Sequence, residues 1–130
     1  MLAGLAFALI ACSNAMAPSA VPDQDFDLRA GESAGLEGSD LVVRFVSVPS
    51  DSRCPVDVQC FHAGDATVRL HVEGGGAAEE FLELHTNADP KEGAQGSFLI
   101  RLIGLRPLPR DGRPVSAPDF VATLRISPNR

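Results

Sequence analysis

Residues 66–85 read ATVRLHVEGGGAAEEFLELH, and this stretch carries the clearest structural signal in the chain. In its first half apolar residues alternate with polar ones, which is the period of a strand with one buried face. Three glycines follow at 74–76, and glycine accepts the positive φ angles of a tight turn. The second half returns with Leu82 and Leu84 on one face and Phe81 on the other. The stretch therefore predicts a β-hairpin.

The register of this hairpin follows from the position of its turn. If the chain folds about Gly75, Val68 lies beside Leu82 and Asp65 lies across from His85. A slip by one residue would bury the charged side chains, so the assignment of the two faces is well fixed. The polar face is predicted to meet water and holds Arg69, His71, Glu79 and Glu83.

Short strands are predicted along the rest of the chain as well. Residues 120–126 alternate, whereas residues 41–48 and 97–106 are apolar on both faces, which is typical of central strands. A loop is predicted at residues 87–96. Six or seven such strands predict an all-β fold, an antiparallel β-sandwich with a small β-barrel as the alternative. The predicted core consists of Val43, Phe45, Val68, Leu70, Leu82, Leu84, Leu102, Leu124 and Ile126.

The first twelve residues predict the location of the protein. Residues 2–11, LAGLAFALIA, form an apolar run shorter than the roughly 20 residues of a bilayer helix but of the length of a secretion signal. Residues 9–12, Leu-Ile-Ala-Cys, resemble the lipobox of bacterial lipoproteins. In that family the signal is cleaved before the cysteine, so the resemblance implies a lipidated Cys12. A secretion signal cleaved after Ala17 and a buried N-terminal strand stay open as alternatives.

The lipobox divides the chain into three predicted parts. These are a signal peptide at residues 1–11, a lipid-anchored flexible tether at 12–24 and a single β-sandwich domain at 25–130. The tether contains Pro18 and Pro22 and lacks apolar periodicity. A serine follows the cysteine, and by resemblance to lipoproteins of two-membrane bacteria it favours the outer membrane. The predicted location is the periplasmic face of that membrane, with the lipid anchor as the membrane contact.

Composition excludes some classes of partner. The formal net charge is −6, whereas proteins that bind nucleic acid carry basic patches. The chain has no Trp and no Tyr, so stacking platforms for bases or sugars are nearly excluded. We therefore expect no nucleic-acid partner.

Two cysteines remain once Cys12 is assigned to the lipobox. Cys54 and Cys60 are separated by five residues, and in an exported domain two such thiols most simply form a disulfide. A zinc shell of both cysteines and His62, with Asp57 or Asp65, is the alternative, although zinc sites usually space their cysteines by two to four residues. A second metal alternative comes from the hairpin register, which would gather His62, Asp65 and His85 at one end of the sheet.

The segment around these cysteines carries a second resemblance. Residues 51–55, Asp-Ser-Arg-Cys-Pro, are followed by Cys60, by Ala-Gly at 63–64 and by the strand that begins at Ala66. This arrangement, with residues 102–107 near the C-terminus, resembles a family of small exported bacterial proteins, many of them lipoproteins, whose function is not established. That group tends to carry an aromatic residue, often Trp, at the position of His62. The resemblance therefore implies an exported protein but no activity.

The chain carries few sequence motifs that indicate catalysis. The chain has no Gly-x-Ser-x-Gly elbow, phosphate-binding loop, His-Glu-x-x-His or dinucleotide fingerprint. We therefore predict a non-catalytic cell-envelope module, not an enzyme and without a cofactor, that binds a protein or the envelope itself. Its predicted contact surface is the cysteine loop, with Arg53, Asp57 and His62 as candidate residues. The alternative is a metal-binding or small enzymatic domain that uses His62, Asp65 and His85.

Overall fold

The computed structural model describes residues 18–129, and these residues form an all-β sandwich. The strands are β1 (Ser19–Ala20), β2 (Asp25–Arg29), β3 (Ser33–Leu36), β4 (Val42–Asp51), β5 (Ala66–Gly74), β6 (Ala77–His85), β7 (Glu92–Gln95), β8 (Phe98–Arg106) and β9 (Val121–Pro128), with a short 3-10 helix at Ala117–Asp119. One sheet has the order β1-β3-β4-β5-β6 and the other has the order β2-β9-β8-β7.

The pairing within these sheets confirms the predicted sandwich. Only the contact of β1 with β3 is parallel among the strand pairs of the described residues. The sheets do not close into a barrel, so the alternative of a small β-barrel is wrong. Within residues 18–129, the helical structure includes nothing of the length and hydropathy that crossing a bilayer requires.

The core lies between the two sheets and follows the predicted alternation. Leu82, on the edge strand β6, is only partly buried, and it packs against the buried core residues. The other eight predicted core residues are buried: Val43, Phe45, Val68, Leu70, Leu84, Leu102, Leu124 and Ile126. The period of two places these side chains on the inner faces because successive residues of a strand point to opposite sides.

The hairpin of β5 and β6 forms with the predicted faces but with a different register. Val68 pairs with Leu84 rather than Leu82, and Thr67 rather than Asp65 stands across from His85. The shift is two residues, so each side chain keeps its predicted face. Contacts outside the hairpin fix the turn, because the Asp40 carboxylate accepts a hydrogen bond from the Gly75 amide at 3.0 Å.

The domain begins before the predicted boundary at residue 25. Ser19 and Ala20 pair with β3, and Ala20 is fully buried. The Ala20 carbonyl accepts a hydrogen bond from the Glu37 amide at 2.8 Å, and the Asp23 amide donates to the Ile126 carbonyl at 2.8 Å. Residues 19–24 of the predicted tether therefore belong to the sandwich. The predicted signal peptide and Cys12 lie outside the described residues.

Two further sequence expectations are corrected by the strands. The predicted loop at 87–96 contains β7, a short edge strand whose Gln95 is buried. Strand β4 is central, as expected, but its second face is not covered, and Val46 remains 37 % exposed. Register shifts on both sides of Ser47 turn this part of β4 away from regular pairing.

Candidate functional site

Three loops meet at the end of the sandwich where β4 finishes and β5 starts, which we call the disulfide end. They are the disulfide loop (residues 52–65), the loop at 86–91 and the proline loop (107–116). Cys54 and Cys60 form the predicted disulfide, with their Cα atoms 6.0 Å apart. The disulfide and proline loops are joined directly, because the Val56 amide donates to the Pro109 carbonyl at 2.9 Å.

Arg53 links the start of the disulfide loop to β4, to β8 and to the proline loop. Its Nε donates to Asp51 Oδ1 and its Nη2 to Asp51 Oδ2, each at 2.8 Å. Its Nη1 donates to the Leu105 carbonyl at 2.7 Å, and Nη2 also reaches the Pro107 carbonyl at 2.9 Å. Only 7 % of Arg53 is exposed, and its guanidinium lies 5.9 Å from the ring centre of Phe120.

This placement corrects the prediction that Arg53 belongs to the contact surface. Four hydrogen bonds use nearly all of the five guanidinium donors, and little of the side chain reaches solvent. The hydrogen bonds from Arg53 also lower the pKa of the Asp51 carboxyl, although burial opposes them. The pair therefore positions the loops and leaves the surface to other residues.

The base of the disulfide loop extends the pairing of β4 and β5. The Ser52 amide donates to the Asp65 carbonyl at 2.7 Å, and the Cys54 amide donates to the Ala63 carbonyl at 3.0 Å. Gly64 lies between these rungs with a φ of +70°. A Cβ atom on Gly64 would overlap the backbone oxygen of Ser52, so this close approach requires glycine.

Asp65 organises the loop at 86–91. Its Oδ1 accepts hydrogen bonds from the amides of Asn87 at 2.8 Å and Ala88 at 3.0 Å. Its Oδ2 lies 2.7 Å from Nδ1 of His85. Burial raises the pKa of this carboxyl, but the bonds from the two amides and His85 outweigh it and lower the pKa to about 2. The predicted contact of Asp65 with His85 is confirmed, through a diagonal rather than a direct pair.

The predicted metal trio is not assembled. Asp65 and His85 meet, but His62 does not complete a metal-binding group with them, and residues 18–129 contain no set of three His, Cys, Asp or Glu side chains placed to hold a metal ion. Asp65 directs both of its oxygens to the loop and to His85. Its geometry therefore fits a structural role in shaping the disulfide end.

The stability of the protein should depend on Asp65 at acidic pH. Because the pKa of Asp65 is lower in the folded chain, its contribution is complete above about pH 4 and is lost as the pH falls towards 2. We expect this contribution to stay below about 2 kcal/mol, since solvent reaches 26 % of the side chain. Urea unfolding of wild type and Asp65→Asn from pH 6 to pH 2 measures it. In Asp65→Asn the free energy of unfolding should depend less steeply on pH, whereas Glu37→Gln, at the other end of the sandwich, should behave like wild type. Equal slopes in all three proteins would contradict the assignment to Asp65.

The disulfide end exposes four large apolar side chains among its polar ones. Phe61 is fully exposed, Val56 is 58 % exposed and Val58 is 39 % exposed, all on the disulfide loop. Leu108, on the proline loop, is 49 % exposed. His62 is also exposed, next to Phe61. Phe61 was not among the residues predicted to form the contact surface, although its position between Cys60 and His62, outside any alternating strand, is a signal that could have identified it.

Asp57, the remaining candidate of the predicted contact surface, has a structural partner. Its Oδ1 accepts a hydrogen bond from the Asp111 amide at 2.8 Å, which ties the tip of the disulfide loop to the proline loop. Asp57 is nevertheless exposed. Of the three predicted contact residues, Asp57 and His62 therefore lie on the surface of the disulfide end and Arg53 lies beneath it.

Reduction of the disulfide should have only a small effect on stability. The ring is short, so the bond should add about 2 kcal/mol or less by restricting the unfolded chain. Arg53 and Asp57 hold the loop independently of the cysteines. Urea unfolding with and without a reductant measures the difference, and a double Cys54→Ser, Cys60→Ser variant serves as the control. A loss above about 4 kcal/mol would show that the fold depends on the bond.

Comparison of the chain with protein-family models, with curated proteins and with solved structures found no match. The assignment of the site therefore depends on its geometry and on the sequence patterns described above.

Proposed function

We propose that this protein is an exported, lipid-anchored module of the bacterial cell envelope that binds a protein partner through the disulfide end of its sandwich. The lipobox resemblance of residues 9–12 supports the anchor. The proposed role is non-catalytic. Its contact residues are Phe61, Val56, Val58, His62 and Leu108.

The observation that carries this proposal is the full exposure of Phe61 on a braced loop. Covering a large exposed aromatic side chain with a partner lowers the free energy of the system. Aromatic residues are also enriched among the residues that dominate protein interfaces. The disulfide, Arg53 and Asp57 restrict the loop before a partner arrives. Such preorganisation lowers the entropy that binding would otherwise cost.

The anchor itself gives a direct prediction. The mature chain should begin at a lipidated Cys12 and should sediment with membranes, because several acyl chains hold a protein firmly to a bilayer. Cys12→Ser should release the protein into the soluble fraction or stall its processing, while Cys54→Ser should leave it in membranes. Mass spectrometry of the N-terminal peptide provides the measurement. An unmodified N-terminus at Pro18 would instead support cleavage after Ala17.

Partner capture tests the proposed surface. The anchored protein is crosslinked in intact envelopes, purified, and its adducts are compared among wild type, Phe61→Ser and Ile103→Ser. Ile103 is the matched control, since it is 44 % exposed on the outer face of β8. We expect Phe61→Ser to remove a specific adduct and Ile103→Ser to retain it. Adducts that are identical in all three proteins would contradict the proposal.

A further inference from the structure

Strand β6 forms a long open edge of the first sheet. It has nine residues, pairs with β5 on one side and contains no proline. Contacts outside the sheet cap both of its ends. Gln95 Nε2 donates to the Ala78 carbonyl at 3.0 Å, and the His85 amide donates to the Pro90 carbonyl at 2.9 Å. The stretch between these caps, residues 79–84, is the part of the edge that remains open.

The backbone groups that this stretch presents follow from its pairing. The His85 amide points away from β5, to Pro90, whereas the Thr86 amide donates back to the Ala66 carbonyl at 3.0 Å. In an antiparallel ladder the direction of these groups alternates with every residue. The amide and carbonyl groups of Phe81 and Glu83 therefore point outward, like those of His85, while Leu82 bonds to β5.

The side chains beside these groups form a short pattern on the outer face. Glu79 and Glu83 flank Phe81, which is 53 % exposed. On the strand behind them, the Arg69 guanidinium lies 4.3 Å from the ring centre of Phe81, and the His71 ring meets the same ring edge-on at 5.1 Å. Phe81 is thereby held in place as an aromatic surface between two acidic side chains.

The inner side of the same edge admits little bulk. Leu82 points inward and lies so close to Gly93 of β7 that a Cβ atom on Gly93 would stand 3.1 Å from it. If a strand were added beside β6, every second side chain of that strand would point towards this contact between Leu82 and Gly93. Those residues must therefore be small.

We propose that the open edge of β6 binds an extended segment of another protein by antiparallel strand addition, and that this segment carries a basic, an apolar and a basic residue at alternate positions with small residues between them. The outward amides and carbonyls of Phe81 and Glu83 supply the main-chain bonds. The basic residues would stand opposite Glu79 and Glu83, and the apolar one opposite Phe81. This surface is distinct from the disulfide end and does not depend on the role of Phe61.

Charge selects this occupant over a second copy of the chain. Two β6 edges in an antiparallel arrangement centred on Phe81 would set Glu79 of each copy against Glu83 of the other, and like charges directly across a strand pair repel. The same carboxylates attract a basic segment. The acidic residues thus disfavour the pairing of two copies along this open edge and favour the addition of a positively charged strand.

A synthetic peptide tests the proposal on the folded domain. The probe contains Lys-Ser-Val-Ser-Lys at its centre, and its affinity is measured by calorimetry at low and high salt. We expect one peptide to bind per chain, with an affinity that falls as salt rises. Methylation of the valine amide nitrogen should weaken binding about tenfold or more, because it removes a main-chain bond to Phe81. A peptide with glutamates in place of the lysines should bind far more weakly.

Variants of β6 complete the test. Glu83→Pro removes an outward amide and one of the two acidic side chains while leaving the ladder with β5 intact, so it should reduce affinity about tenfold or more. Glu73→Gln, an exposed carboxylate on β5, should retain wild-type affinity. Three results would each overturn the proposal: no binding of the lysine peptide, binding that methylation leaves unchanged, or self-association that Glu83→Pro abolishes. If Glu83→Pro does not fold, the methylated peptide alone decides.

Discussion

Arg53→Ala should lower the free energy of unfolding by about 3–5 kcal/mol, which is among the largest effects we expect in this protein. The substitution leaves the Asp51 carboxylate without its partner, and 17 % of that side chain is exposed. It also removes the donors that the Leu105 and Pro107 carbonyls accept. An uncompensated buried charge costs more than the ion pair itself contributes, so the loss exceeds that of a surface pair.

The measurement is urea unfolding at pH 7, with Arg125→Ala as the matched control. Arg125 also pairs with an aspartate at 2.7 Å, but the two side chains are 46 % and 42 % exposed, so its loss should cost less than about 1 kcal/mol. Arg53→Lys should fall between them, since an ammonium group lacks the planar fork that binds both Asp51 oxygens. Similar values for Arg53→Ala and Arg125→Ala would contradict the bracing role.

Gly64→Ala should be the second large effect, with a loss of about 3 kcal/mol or more. Alanine is strained at the φ of +70° found there, and its Cβ would overlap the Ser52 backbone oxygen. Neither atom lies at the end of a flexible side chain, so β4 and β5 would have to separate at the base of the disulfide loop. The substitution should therefore also disorder the loop that carries Phe61.

Gly112→Ala separates the two causes of this loss. Gly112 has nearly the same φ, +69°, but nothing stands within 4 Å of the position of its Cβ. It should cost only the backbone strain, about 1–2 kcal/mol. Urea unfolding of both variants, with hydrogen exchange of residues 52–65, measures the difference. Equal losses at the two glycines would mean that the close approach of Gly64 to Ser52 contributes nothing.

The alternation of residues 66–85 predicted the hairpin and its faces because a period of two is a local property of the chain. The register was wrong by two residues, since the turn is selected by contacts from Asp40 and Gln95, which lie far away in sequence. For the same reason β1 was missed. Ser19 and Ala20 have no pattern of their own and become a strand only by pairing with β3.

The sequence predicted the place of the candidate site in the fold better than it predicted which residues form the surface of that site. An arginine in a loop is usually solvated, and the bonds that bury Arg53 reach carbonyls more than fifty residues away. Phe61 was missed because phenylalanine is usually a core residue, and only the disposition of the loop shows that it is exposed. The disulfide, by contrast, could be predicted, because assigning Cys12 to the lipobox leaves Cys54 and Cys60 as the one possible pair.

The positions that carry the family resemblance have structural roles in this fold. Asp51 and Arg53 form a partly buried ion pair, Cys54 and Cys60 form the disulfide, and Gly64 permits the close approach to Ser52. The exposed residues Val56, Val58 and Phe61 lie between these positions. We therefore interpret these residues as a frame that holds the disulfide loop, and the exposed residues between them as the surface that our proposal assigns to a partner.

Site-specific photo-crosslinking in intact envelopes tests directly whether the disulfide end contacts a protein partner. A photoreactive residue is placed at position 61, on the disulfide loop, or at position 37, in the turn at the opposite end. We expect a discrete protein adduct from position 61 that disappears with Gly64→Ala, and no such adduct from position 37. Equal labelling from the two positions, or an adduct from position 37 alone, would contradict the claim that the disulfide end is the contact surface.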